Sequence, residues 1–248
     1  MSSEPDIARL QAIIRAKDWP TALAVVSGQF PGAAVFSTSF GLEDQAILHA
    51  IAQANLAVRV VTLDTGRLFE ETHALHAQTR KRYGISIDVF FPEPAALRRL
   101  IAERGPNGFY DSFENRRECC RVRKVEPLAL ALAGAKLWIT GIRREQSQER
   151  AQLAPIEWDE QHRLLKYHPL LDVSETELRR YISLHDVPYN PLHDRGYPSI
   201  GCAPCTRAVA PGEPERAGRW WWEQAEQKEC GLHIAPDGRA TRASLSSA

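Results

Sequence analysis

Short apolar runs alternate with longer amphipathic stretches along most of the chain. Residues 33–37, 58–63, 85–90 and 136–140 are brief, rich in branched side chains and bounded by turn formers, as buried parallel strands are. Residues 43–53, 69–83, 94–104 and 121–133 carry apolar side chains three and four positions apart, which fits helices packed on a sheet. Strand then helix, repeated, predicts an α/β fold: a doubly wound, mostly parallel sheet whose ligands bind at the carboxyl ends of the strands. Farther on, Ser174-Glu-Thr-Glu177 has the form of a capping box and should start another helix. Ala210-Pro-Gly-Glu-Pro214 interrupts the pattern, so residues 1–209 are expected to form the α/β domain and residues 210–248 a mobile C-terminal tail.

The polar motifs fall at those strand ends. After the first strand comes Ser37-Thr-Ser39-Phe-Gly41-Leu-Glu-Asp44, hydroxyls and a glycine leading into a helix N-terminus, a cradle for phosphate or sulfate. After the second comes Leu63-Asp-Thr-Gly-Arg67, and after the fourth Thr140-Gly-Ile-Arg143-Arg144-Glu-Gln146-Ser-Gln-Glu-Arg150, whose guanidinium groups suit bidentate contact with anionic oxygens. Taken singly, the serine loop is an ordinary helix cap and the arginine run a solvated face. Their placement on successive strand ends favours one shared anion site. Pro191-Leu-His193-Asp194-Arg195-Gly-Tyr197-Pro-Ser199 is expected only to position Cys202 and Cys205, with no chemistry of its own.

Five cysteines carry the most specific signal: an adjacent pair, Cys119-Cys120, a Cys202-Ala-Pro-Cys205 step, and Cys230 near the C-terminus. A CxxC step alone serves zinc sites, clusters and redox pairs alike. Neighbouring thiolates fit poorly at two vertices of one tetrahedral zinc but can each bind a different iron, so the four suit an iron–sulfur cluster better than zinc. The odd count weighs against a disulfide framework. Cys230 sits in the polar stretch Lys228-Glu-Cys-Gly-Leu-His233, where Lys228 and His233 could lower its pKa while Glu229 opposes them. Such a tail cysteine, read alone, is more often incidental than nucleophilic.

Charge and composition remove several classes. Lysine plus arginine equals aspartate plus glutamate at 31 each, so no net field favours nucleic acid or a membrane surface and any anion site is local. No run approaches a membrane span, and Met1-Ser-Ser-Glu-Pro-Asp6 has no secretion-signal pattern, so a soluble, cytoplasmic protein is expected. Neither a Walker sequence nor a GxGxxG fingerprint is present, which argues against a kinase or a nicotinamide enzyme.

Together with Cys119-Cys120-Arg-Val-Arg-Lys124, Gly201-Cys-Ala-Pro-Cys-Thr-Arg207 and Glu229-Cys-Gly-Leu-His233, the strand-end motifs resemble the assimilatory sulfonucleotide reductases, from about the first strand to the tail. The four extra cysteines resemble those of the cluster-bearing branch, which reduces adenylyl sulfate (adenosine 5'-phosphosulfate), although some members also accept its 3'-phosphorylated form. The resemblance implies an adenine nucleotide alpha hydrolase-like, PP-loop-type fold and one 4Fe-4S cluster per chain held by Cys119, Cys120, Cys202 and Cys205. It implies Cys230 as the nucleophile that takes up the sulfonate, thioredoxin or glutaredoxin as reductant, and a homo-oligomer. For the substrate it implies Ser37, Ser39 and Asp44 in the nucleotide loop, Leu63 beside adenine, and Arg123, Lys124, Arg144 and Arg150 near phosphate, sulfate or cluster. Arg216 and Arg219 would bind sulfonate oxygens, Trp220 would exclude water, and His233 would bind substrate or tune Cys230. Unlike the ATP-cleaving relatives, the loop has Phe40 and Glu43 where a tight glycine and serine-type donors grip pyrophosphate. An ATP-dependent tRNA-thiolating enzyme and a zinc-stabilised binding module remain as readings from other classes.

Overall fold

A computed structural model describes residues 7–223. Two helices, α1 (Ile7–Arg15) and α2 (Trp19–Ser27), precede the first strand, β1 (Ala34–Thr38). The chain continues through α3 (Leu42–Gln53), β2 (Arg59–Leu63), α4 (Glu70–Tyr83), β3 (Asp88–Phe90) and α5 (Pro94–Arg104). Then come α6 (Phe113–Cys120), a π-helical turn (Arg121–Val125), α7 (Glu126–Ala131) and β4 (Leu137–Ile139). An antiparallel pair, β5 (Ile156–Asp159) and β6 (Leu164–Tyr167), and α8 (Glu175–Leu184) complete the regular elements. The six strands lie in the order β3-β2-β1-β4-β6-β5, parallel except for β5 at the edge.

The two-residue period of the strands decides which helices cover which face. On β1, Ala34 and Phe36 join the larger core with Ile47, Leu48 and Leu75, whereas Val35 joins a second cluster with Val61, Leu128 and Leu132. Strand β4 divides likewise, with Leu137 and Ile139 on the first side and Trp138 on the second. The sheet is therefore buried on both faces, as a doubly wound arrangement requires. From β1 the chain winds outward to β3 and then returns to place β4 on the other side, so the crevice between the ends of β1 and β4 is the switch point where such sheets bind ligands.

The four expected strands form, the first shifted by one residue and the other three shortened, but β5 and β6 were not expected. Their charged residues resemble a solvated face: Lys166 is 1% exposed, its Nζ 4.6 Å from the Trp138 ring centre and 3.7 Å from Asp159 Oδ2. Helices α1, α2 and α6 were also unexpected, and the single helix expected over 121–133 is a π turn followed by the shorter α7. The capping box forms as expected: Ser174 Oγ accepts from Glu177 N at 3.2 Å and Glu177 Oε2 accepts from Ser174 N at 2.9 Å. Among the described residues, no helix is long and apolar enough to cross a membrane.

One buried side chain ties the loop after α8 to α4, and a second bond ties that loop to α3. Asn190 Oδ1 accepts from Leu192 N at 3.0 Å, and its Nδ2 donates to Thr72 Oγ1 at 3.2 Å, while Gln45 Nε2 donates to Pro188 O at 2.6 Å. Asn190→Ala should remove a turn cap and leave buried partners unpaired, at a cost of about 2 kcal/mol. Urea unfolding should show a lower midpoint at unchanged slope, and an unaltered midpoint would contradict this role.

Candidate active site

The first wall of the crevice is the turn from β1 into α3. Gly41 caps α3 with extended backbone, and Phe40 before it adopts a φ of 61°, which non-glycine residues rarely do. Its ring offsets that strain by burying completely and stacking on His76 at 5.1 Å. Asp44 turns back over the loop and accepts from Ser39 N and, at 2.9 Å, from Ser39 Oγ. Burial pushes the Asp44 carboxyl up to about 6, with neighbouring Glu43 adding to the shift against the Ser39 hydrogen bonds. Ser37 is held from the other side, its Oγ accepting from Trp138 Nε1 at 2.7 Å.

The second wall is the segment after β4. Gly141 lies so close to α3 that a Cβ there would meet Asp44 Oδ1 at 2.1 Å. Beyond it, Arg143 is 2% exposed and reaches Glu43 Oε1 at 2.6 Å, Glu145 Oε2 at 3.0 Å and Glu215 Oε2 at 3.4 Å. Gln146 donates to Glu43 Oε1 at 3.1 Å and accepts from Arg143 N at 3.1 Å. This lattice fixes the spacing between α3, the segment after β4 and the chain around residue 215.

The sequence-expected residues divide by location. Ser37, Ser39, Asp44 and Leu63 line the crevice, and so do Lys124, Arg150, Arg216, Arg219 and Trp220. Arg123 instead lines the neighbouring cysteine cavity, and its Nη1 donates to Thr65 O. Arg144 is not brought to the crevice: its Nε donates to Asp172 Oδ1 at 2.8 Å and its Nη1 to the Ala151 and Leu153 carbonyls. Cys230 and His233 lie outside the described residues. Arg143 was missed because nothing in two adjacent arginines marks which one turns inward. Thr65 was missed too, and its hydroxyl stands 3.2 Å from Cys202 Sγ.

The four other cysteines line one cavity behind the crevice, and none is in a disulfide. Cys119 and Cys120 end α6, one turn before Arg123 and Lys124 on the same face, and all four reach that cavity. The π turn that follows Cys120 and carries Arg123 and Lys124 is a distortion that often accompanies functional sites. Cys202 and Cys205 are carried by a short turn pinned through Ala203 N to Arg67 O at 2.8 Å and Tyr110 Oη to Pro204 O at 2.6 Å. Burial pushes the Cys205 thiol up to about 12, helped by nearby Cys202 and opposed by Lys124 and Arg219. Burial also raises Cys119, against the influence of Arg123. Among the described residues, no group of three or more His, Cys, Asp and Glu is drawn together to hold a metal ion.

Lys124, Arg219 and Trp220 line both spaces. Trp220 is fully buried at a φ of 40°, with Arg116 4.7 Å and Arg219 4.6 Å from its ring centres. Arg116 pairs with Glu223 through Nε at 2.9 Å and Nη2 at 2.8 Å. Trp220 N donates to Cys205 O at 3.1 Å, which ties this segment to the cysteine turn.

Comparison with known proteins agrees with this arrangement. Residues 33–208 match the phosphoadenosine phosphosulfate reductase domain. The adenosine 5'-phosphosulfate reductase of Agrobacterium fabrum is 50% identical over 234 residues, covering 94% of this chain and 90% of that protein. The protein of the same name from Allochromatium vinosum is 53% identical over 199 residues, covering 80% of this chain and 78% of that one. Among solved structures, phosphoadenylyl-sulfate reductase from Candida auris, in a phosphate complex, superposes with a TM-score of 0.71 at 26% identity, over 84% of this chain and 99% of that one. Candida glabrata FMN adenylyltransferase, at a TM-score of 0.54 and 17% identity, covering 100% of this chain and 81% of that one, shares the fold alone. With its reductase domain spanning β1 to the cysteine turn and its crevice at the switch point of the sheet, the chain belongs to the phosphoadenosine phosphosulfate reductase family.

Proposed function

We propose that this chain reduces adenosine 5'-phosphosulfate to sulfite and AMP in sulfate assimilation, with thioredoxin or glutaredoxin as reductant in the cytoplasm. The observation that carries the reading is the wall of Lys124, Arg219 and Trp220, which puts cations between a switch-point crevice and a cavity of four cysteines. Half-identical relatives named for this reaction support it.

In this reading the crevice binds the nucleotide and its cationic side binds the phosphosulfate. Leu63, Leu128 and Trp138 offer the base an apolar surface, and Arg216 and Arg219 face the sulfonate oxygens with Lys124. The Cys230 thiolate attacks the sulfur of the sulfonate; the bond from sulfur to the bridging phosphate oxygen breaks, AMP leaves, and an S-sulfocysteine remains. A thiolate of the reductant then attacks Cys230 Sγ and expels sulfite. Its second thiol resolves the mixed disulfide and leaves Cys230 reduced, so two electrons pass from the dithiol to the sulfonate sulfur.

Cys119, Cys120, Cys202 and Cys205 would hold a 4Fe-4S cluster. The chemistry of the cavity fits it: buried thiols with raised pKa ionise only against positive charge, and Arg116, Arg123, Lys124 and Arg219 around them suit an anionic four-thiolate group. Such a cluster would supply a fixed charge behind the substrate wall, and Lys124 would stand between the two anions.

The anaerobically purified chain, given thioredoxin and adenosine 5'-phosphosulfate, should release sulfite and AMP in equal amounts. Cys230→Ser should lower that rate at least about a thousandfold, while iron content and AMP affinity stay at the wild-type level. Sulfite release by the serine variant, or none from the wild type, would refute the assignment. Cys205→Ser should lose iron and acid-labile sulfide, and full retention of both would remove it from the ligand set. Gly141→Ala should drive a methyl group into Asp44 and weaken AMP binding more than about tenfold with iron retained; wild-type AMP affinity would show that the crevice is not the nucleotide site.

A further inference from the structure

We infer that His193 is a ligand-binding residue of the crevice, placed to hydrogen-bond a ribose hydroxyl of the bound nucleotide. The inference rests on the reading that the crevice holds an adenine nucleotide. His193 is 8% exposed and lines the crevice; the Tyr197 backbone stands near enough to its ring to favour the charged form, but neither Nδ1 nor Nε2 makes a well-formed hydrogen bond among the described residues. A buried imidazole with a ring nitrogen left unpaired is costly, and packing alone would be served better by an apolar side chain. The missing partner is therefore expected from the ligand.

The chemistry of the ring narrows which ligand group that is. Burial lowers the pKa of His193, against the weaker opposing influence of Glu43, and Arg179 lowers it further. The ring is thus neutral at neutral pH, with one nitrogen donating and one accepting. A phosphosulfate only accepts, and Lys124, Arg216 and Arg219 already face it. The apolar surface of Leu63, Leu128 and Trp138 suits the flat base. A hydroxyl both donates and accepts, which matches a neutral imidazole, and the ribose lies between the base and the phosphosulfate.

The position of the ring is set before any ligand arrives. His193 sits on a 3₁₀ turn, Pro191–Arg195, whose start is capped by Asn190 and whose end closes at Gly196 with a φ of 83°. His193 N donates to Asn190 O at 3.0 Å and Tyr197 N to Leu192 O at 3.1 Å, and Asn190 is anchored on Thr72, itself a lining residue. An imidazole on so rigid a support can meet a ligand without an ordering cost.

The test is calorimetric titration of the full, iron-loaded chain with AMP, 2'-deoxy-AMP and 3'-deoxy-AMP. The wild type should bind one deoxy analogue about five- to tenfold more weakly than AMP, as expected for one hydrogen bond. His193→Ala should bind AMP weaker by a similar factor and no longer distinguish that analogue. His193→Leu keeps the bulk of the ring without its nitrogens and should behave alike, which covers a failure of the alanine variant to fold. Wild-type discrimination between AMP and the analogues in either variant would overturn the inference. So would a wild type that binds all three equally, a result that leaves the proposed reaction standing. A wild type that neither binds AMP nor releases sulfite would overturn both.

Discussion

The packing of the Arg116 and Arg219 guanidinium groups on the Trp220 ring is the contact on which the two-cavity arrangement depends. Arg116 lines the cysteine cavity and is held by Glu223, and Arg219 lines both that cavity and the crevice. Both guanidinium groups are almost wholly buried; Arg116 is neutralised by Glu223, while Arg219 lies over the indole and donates to Ile200 O at 3.4 Å. The backbone bond from Trp220 to Cys205 then sets this segment against the cysteine turn. Gly201 completes the fit, since a Cβ there would meet Arg219 Nη2 at 2.2 Å.

A second lattice does the same for the other wall. Arg143 gathers carboxylates from α3, from its own turn and from Glu215, so the segment that carries Arg216 and Arg219 is held from both ends. Burial raises Glu215, which also feels Glu43, while Arg143 draws it down. The crevice thus has an acidic rim near α3 and a cationic side toward the cysteines. That polarity gives a nucleotide with one charged end a single favourable orientation.

How much of this was legible in the sequence depends on which residues behave as their type suggests. The strands around Phe36, Val60 and Ile139 were readable because they are apolar and buried. The β5–β6 pair was not, because Lys166, Asp159 and Glu157 carry polar groups into the interior, where Lys166 lies against Trp138 and Asp159. The cysteine spacing pointed to one shared site, and the fold brings the four to one cavity. Adjacent arginines were not separable: Arg143 and Arg144 differ in fate only through the turn after β4, which sends one inward and the other to Asp172. His193 was passed over because a lone histidine in a loop carries no pattern, and only its burial without a well-formed hydrogen bond distinguishes it.

The central claim is that one wall of cations couples a nucleotide in the crevice to a cluster in the cavity. Mössbauer spectra of the anaerobic, iron-loaded chain with and without saturating AMP or adenosine 5'-phosphosulfate test it most directly. The account predicts that the nucleotide alters the iron signal in the wild type and that Lys124→Ala, once saturated, shows a smaller change. Identical spectra in the wild type with and without bound nucleotide would contradict it.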